Sequence, residues 1–250
     1  MEFEKLGMQA EKLLDQFFES ENIVLIKSKD RVKAKGEVFT PRNIVKDMLD
    51  LDGIKNASFN LDKTFLEPSC GNGNFVVQIL ARKLVAVSGE TVEFDIGILR
   101  AVASIYGIEI MPDNVAECRN HMMKLIEIYC KNSNHELSDM MKKSISYIIN
   151  RNIRYGDALK MARRPEENVI SYQYASLSVN EEDKKLNDMR PCTAIDRDLH
   201  FSEWRFVDEY VIRREFNMKT DKLVCNYCPV HYENLISLGD VGIDNLKNAV

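Results

Sequence analysis

Apolar positions along this chain follow two rhythms: a helical one that dominates, and short continuous runs that mark strands. From Glu4 to Ser20, the residues Leu6, Met8, Leu13, Leu14, Phe17 and Phe18 predict an amphipathic helix. Asn22 to Ile26 reads as a short strand or a tether. Pro41 suits the first position of a helix capped by Thr40, with Ile44, Val45, Met48, Leu49 and Leu51 as its apolar face. Thr64 to Leu66 reads as a short buried strand, and Phe75, Val76, Ile79 and Leu80 then recur at helical spacing, predicting an amphipathic helix to about Val87. Ser88 to Gly97 carries no clear period. A helical piece, Ile98 to Ser104, leads into a strand from Ile105 to Ile110, and Pro112 opens a long helix to about Lys131. Leu137 to Ile149 reads as a further helix and Asn152 to Tyr155 as a strand. Beyond Lys160 the pattern fades: Val207 to Phe216 fits strand or helix, and the last fifty residues predict no regular element. Strands separated by helices predict an α/β fold, with a mostly parallel sheet flanked by helices.

The most informative stretch is Thr64-Phe65-Leu66-Glu67-Pro68-Ser69-Cys70-Gly71-Asn72-Gly73-Asn74-Phe75. It reads as strand, tight turn of small residues, then helix, a geometry that brings a backbone close to a nucleotide-like ligand because glycine has no side chain in the way. No Lys-Ser/Thr pair follows Gly73, so this is not a P-loop, and two glycines fall short of the three of a dinucleotide fingerprint. The acid at Glu67 disfavours a bound diphosphate and suits a ligand carrying an amine and a ribose.

These residues resemble motif I of the adenine-specific (N6) DNA methyltransferases, whose pattern is close to (D/E)-P-(S/A)-C-G-(N/T)-G. The resemblance covers about Gly36 to Leu159 and implies a class I, Rossmann-like domain that binds S-adenosylmethionine (SAM). Phe39-Thr40-Pro41 is similar to motif X, which lies against the methionine end of SAM in that family. Glu67, Pro68, Cys70, Gly71, Asn72, Gly73, Asn74 and Phe75 then belong to the cofactor turn. Glu109, followed by Ile110, occupies the position of the acid that accepts from the ribose hydroxyls. Gly156-Asp157-Ala158-Leu159 is similar to motif III, where the acid accepts from the adenine amine. The chain divides accordingly into an N-terminal helix and basic linker (1–35), a SAM-binding core (36–160), and the remainder of the core with an irregular C-terminal extension (161–250).

Composition adds limits. The 250 residues are 45% hydrophobic and 29% charged, ordinary for a soluble globular protein. At a net charge of −5 the bulk does not announce a nucleic-acid binder. Double-stranded DNA contact would have to come from local patches such as Lys27, Lys29, Arg31, Lys33 and Lys35, which read equally as a solvated linker or a phosphate-contacting arm. Six scattered cysteines, no signal peptide and no long apolar run imply a cytoplasmic protein without a membrane span. Cys225, Cys228 and His231 offer half of a zinc motif, and with no fourth ligand beyond guesses at Cys192 or His200 a metal-free tail is expected.

One element of the family pattern is absent. N6-adenine enzymes carry (D/N/S)-P-P-(Y/F) after motif III, to support the target amine and stack on the flipped base. That tetrapeptide occurs nowhere in the chain; Asn226 with Pro229, and Ser202-Glu203-Trp204, are poor substitutes. Catalytic residues therefore stay unassigned. The resemblance implies a SAM-dependent DNA adenine-N6 methyltransferase, of the kind that accompanies restriction systems and works with a specificity or restriction subunit. The missing tetrapeptide favours a non-catalytic SAM-binding subunit that needs or regulates a partner.

Overall fold

A computed structural model describes residues 2–21, 23–88, 91–163, 199–226, 229–233 and 235. The first sheet holds three parallel strands, β1 (Phe65–Glu67), β2 (Ile105–Glu109) and β3 (Ile153–Asp157), in that spatial order. β4 (Ala162–Arg163) adds to β3 antiparallel. Parallel neighbours cannot be joined by a tight turn, so each connection carries helices. α5 (Asn74–Leu84) and α6 (Thr91–Ala103) link β1 to β2; α7 (Pro112–Asn132) and α8 (Asp139–Asn152) link β2 to β3. This is an α/β arrangement compatible with a Rossmann-like fold. Among the described residues no strand pairs with the other edge of β1, and Leu66 is 47% exposed, so the strand read as buried is a half-open edge.

Four helices precede the sheet: α1 (Glu2–Ser20), α2 (Lys29–Lys35), α3 (Arg42–Leu49) and α4 (Ile54–Ser58). α1 buries Ala10, Leu13, Leu14 and Phe17 against α5 and α7; of the expected face, Leu6 and Phe18 are half-buried and Met8 is 75% exposed. The basic run is not a plain linker: Ser28 caps α2 by accepting from the Arg31 N–H, and Gly36 closes the helix at φ 68°. Asn22 to Ile26 contains no strand among its described residues, although the Leu25 carbonyl accepts from the Phe39 N–H at 2.9 Å. Thr40 does not cap α3. Pro41 holds the N-cap position without a side-chain cap, and the Thr40 carbonyl instead accepts from Asn74 Nδ2 at 2.9 Å.

α5 departs furthest from its predicted amphipathic character. All of its residues but Phe75 are buried, including Gln78, Arg82 and Lys83. Such a helix has no solvent face, so its polar side chains must find partners inside. Gln78 donates to the Arg42 carbonyl at 3.2 Å, and Arg82 donates to the Leu49 carbonyl at 2.9 Å and pairs with Asp50 at 2.7 Å. Lys83 donates to the carbonyls of Asn60 and Lys63 at 2.6 and 2.7 Å, and burial pulls its ammonium down to about 8. These bonds fasten residues 42–63 across the helix that follows the glycine turn.

The stretch left unassigned after Lys160 contains a second sheet. β5 (His200–Val207) and β6 (Tyr210–Asn217) form a hairpin about Asp208–Glu209, and β7 (Leu223–Asn226) and β8 (Val230–His231) both pair with β6. Asp208 supplies the turn's positive φ of 50°. Trp204 Nε1 donates to Asn152 Oδ1 at 2.8 Å, while Asn152 Nδ2 donates to the carbonyls of Ala103 and Ile105 at 3.1 and 3.0 Å. The Tyr106 hydroxyl donates to the Ser202 carbonyl at 2.7 Å, fixing this sheet to the first. No helix is long and apolar enough to cross a membrane among the described residues.

Candidate functional site

The register of the parallel strands gathers three of the expected acids along one edge. Glu67 lies opposite Gly107, Glu109 opposite Tyr155, and Asp157 ends β3, so all three sit at carboxyl ends of adjacent strands. Ligands of open α/β sheets bind outside this edge. Pro68 and Ser69 are exposed there, and Ile110 and Ala158 are half-buried beside their acids.

The turn between β1 and α5 is held from three sides. Gly71 and Gly73 take φ values of 54° and 99°, which only glycine adopts readily. Behind them, the Cys70 N–H donates to the Ile108 carbonyl at 3.0 Å and the Cys70 thiol fills the space left by Gly107, where a Cβ would come within 2.9 Å of the sulfur. Its hydrogen bond with Cys118 and its burial hold Cys70 protonated well above the ordinary thiol range, so it acts as a filler rather than a nucleophile. His121 Nδ1 donates to the Asn72 carbonyl at 2.8 Å; burial lowers the ring's affinity for a proton. In front, the Phe39 ring lies on Gly71, where a Cβ would sit 3.0 Å from Cδ1 and Cε1. Phe75 is half-buried and packs against the core.

Glu109 links turn and sheet. Its Oε2 accepts from the Gly71 N–H at 2.9 Å and its Oε1 from the Met111 N–H at 2.8 Å. Burial pushes this carboxyl up from the ordinary range, an effect the N–H groups of Met111, Gly71 and Ile110 and the Asn114 side chain offset only in part. Asp157 is engaged locally, its Oδ1 accepting from the Lys160 N–H at 3.2 Å. Glu67 likewise accepts from the Ser69 N–H at 3.1 Å.

A clasp that no local motif signals joins residues 27–37 to the start of α7. Lys27 Nζ donates to Asp113, Asn114 and Glu117 at 2.9, 2.7 and 2.5 Å, all in the first two turns of α7. Arg31 pairs with Asp113 at 2.6 Å and with Glu37 at 2.5 Å. Burial of Asp113 opposes its ionisation, but the Arg31 and Lys27 hydrogen bonds outweigh this and hold it down at about 2. Two of the cations considered for a phosphate-contacting arm are thus spent inside the molecule. Only a pairing across more than eighty residues produces the clasp, and no local spacing signals it.

Around the turn, three buried oxygens have no hydrogen-bond partner: Glu37 Oε1, Asn72 Oδ1 and Asn74 Oδ1. With the carboxylates of Glu67, Glu109 and Asp157 they make an edge of acceptors, fitted to a ligand that brings hydroxyls, amines and positive charge rather than phosphates. The residues present therefore fit SAM, with Glu109, Asp157 and the turn as the groups that would hold it. Among the described residues no group of three or more His, Cys, Asp or Glu could hold a metal ion; Cys192 and Cys228 lie outside them, and His231 pairs with Glu209 at 3.3 Å.

No curated protein and no solved structure matches the chain. A family model described as N-6 DNA Methylase matches residues 16–186. That span runs from within α1 through the glycine turn and all three parallel strands, more than half of the chain, and it makes this protein a member of the N-6 DNA methylase family.

Proposed function

We propose that the chain binds SAM at the carboxyl edge of β1–β3 and serves the N6 methylation of adenine in double-stranded DNA, in the cytoplasm, alongside a restriction or specificity subunit. Family membership across residues 16–186 carries this reading, and the acceptor-lined edge is compatible with it. SAM, when bound, supplies a methyl group activated by its sulfonium, so the protein's task is mainly to orient donor and acceptor. Glu109 is assigned to the ribose hydroxyls, which would share a carboxylate that already takes the Gly71, Met111 and Ile110 N–H groups and the Asn114 side chain. Asp157 is assigned to the adenine amine. Phe39, Thr40 and Pro41 are assigned to the methionine end, where Phe39 already covers Gly71. Gly71 and Gly73 keep the backbone free of side chains in the turn.

A second reading rests on one specific observation: the (D/N/S)-P-P-(Y/F) tetrapeptide is missing from the whole sequence. A SAM-binding subunit that methylates only with a partner, or regulates one, needs no such tetrapeptide of its own. Transfer of tritiated methyl from SAM to mixed genomic DNA separates the two. Incorporation by the protein alone establishes the first reading. SAM binding without incorporation, restored by the products of neighbouring genes, establishes the second. A protein that neither binds SAM nor transfers methyl overturns both.

A further inference from the structure

Glu37 belongs to none of the family motifs quoted above, yet its side chain is only 7% exposed. Its two oxygens are treated very differently. Oε2 takes Arg31 Nε at 3.0 Å, Arg31 Nη2 at 2.5 Å and Asn114 Nδ2 at 3.1 Å. Oε1 is buried with no partner at all. An Arg–carboxylate pair ordinarily spreads its two bonds over both oxygens. Here both converge on one, leaving the other unpaired where burial makes that costly. Glu37 therefore behaves as a group with half of its bonding held for something else.

Position says what that is. Asn114, itself fully buried, donates to Glu37 and also hydrogen-bonds Glu109, which in turn accepts from the Gly71 N–H. Glu37 is thus wired to the cofactor turn through a single side chain. Two residues on, Phe39 covers Gly71, and one further, Thr40 accepts from Asn74, whose own Oδ1 is also buried and unpartnered. Charge points the same way. The two cations Lys27 and Arg31 face three carboxylates, Asp113, Glu117 and Glu37. The cluster is one positive charge short, and its unpartnered atom, Glu37 Oε1, is an acceptor.

We propose, resting on the SAM reading above, that Glu37 Oε1 receives the amino-acid ammonium of the cofactor, with Asn72 Oδ1 and Asn74 Oδ1 as neighbouring acceptors. An ammonium brings three donors and one positive charge, which is what this cluster lacks. Arg31 is then a positioning residue: it holds Glu37 by one oxygen and turns the other toward the site.

Calorimetric titration of the full chain tests this with three ligands. SAM and S-adenosylhomocysteine both carry the ammonium, and 5′-methylthioadenosine keeps adenine, ribose and sulfur without it. Glu37→Gln should weaken SAM and S-adenosylhomocysteine by about tenfold to a hundredfold, the effect of losing a hydrogen bond to a charged group, and leave 5′-methylthioadenosine within about twofold. If Glu37 acts only by fastening the clasp, Glu37→Gln and Arg31→Ala weaken all three ligands alike, and the proposal fails. Unchanged SAM affinity in Glu37→Gln also overturns it. If the wild type takes SAM but not the truncated ligand, loss of SAM affinity in Glu37→Gln with an unchanged apo unfolding temperature supports it, and loss only with a fall in that temperature overturns it. A wild type that binds none of the three removes the cofactor reading beneath and this assignment with it.

Discussion

Replacing Gly73 with alanine should destabilise the protein before any ligand is present. Two effects add. At φ 99° an L-residue sits outside its allowed regions, at about 1–3 kcal/mol. The new Cβ would also stand 2.9 Å from Cys118 Sγ and 3.3 Å from Cys118 Cα and Cβ, on a helix buried at that point. Overpacking of this kind costs about 1–3 kcal/mol, because α7 can yield only by moving its backbone. The total, roughly 2–6 kcal/mol, would lower the melting temperature by on the order of 10 °C in a domain of this size. Gly36→Ala is the control: its φ is also positive, at 68°, but nothing lies within 4 Å of the added Cβ, so about 1 kcal/mol is expected. Cys118→Ala in the Gly73→Ala background should recover about 1 kcal/mol relative to additivity, since the closest contact is the sulfur. Urea denaturation of the single and double variants reads all of these values. If Gly73→Ala matches Gly36→Ala, or if the double variant is strictly additive, the packing account of the turn is wrong.

Two other outcomes follow from the same interactions. Asn152→Ala leaves the Trp204 indole N–H and the carbonyls of Ala103 and Ile105 without their partner, so it should cost about 2–4 kcal/mol and move the Trp204 emission to the red; unchanged stability and emission would show that Asn152 does not fasten the second sheet. Glu109 has a folded-state pKa above its unfolded value, so its contribution to apo stability is complete below the unfolded value and is lost as pH rises through the folded one. Glu109→Gln should flatten that decline in unfolding free energy, measured from mildly acidic to neutral pH, and parallel profiles for variant and wild type would contradict it.

Much of the site was legible because its signals are local. β2 starts at Ile105 as expected and stops at Glu109, one residue short of the expected Ile110, and α7 extends the predicted helix by a single residue. The glycine turn was legible for the same reason: strand, tight turn and helix follow one another as read, and Gly71 and Gly73 both take positive φ. Misjudged features depend on distant partners. Gly97 looked like a break before a helix starting at Ile98, yet α6 runs through it from Thr91, because Val87 Cγ1 lies 2.5 Å from where a Cβ would be and only glycine fits. The burial of Gln78, Arg82 and Lys83 has no local signal, because the carbonyls that take them come from residues 42–63. The basic run reads as solvated or phosphate-bound until Asp113, Asn114 and Glu117 arrive from α7. The β5–β6 hairpin turns on Asp208 without a glycine, so its strongest local marker is missing.

The central claim is that SAM binds at the carboxyl edge of β1–β3 with its ribose on Glu109. Isothermal titration of SAM into the wild type and into Glu109→Ala tests it most directly. The account predicts one SAM per chain for the wild type, and a loss of roughly 1.5–3 kcal/mol for each hydrogen bond to the carboxylate removed in the variant. Equal affinities for the two proteins, or no heat of binding in either, would contradict it.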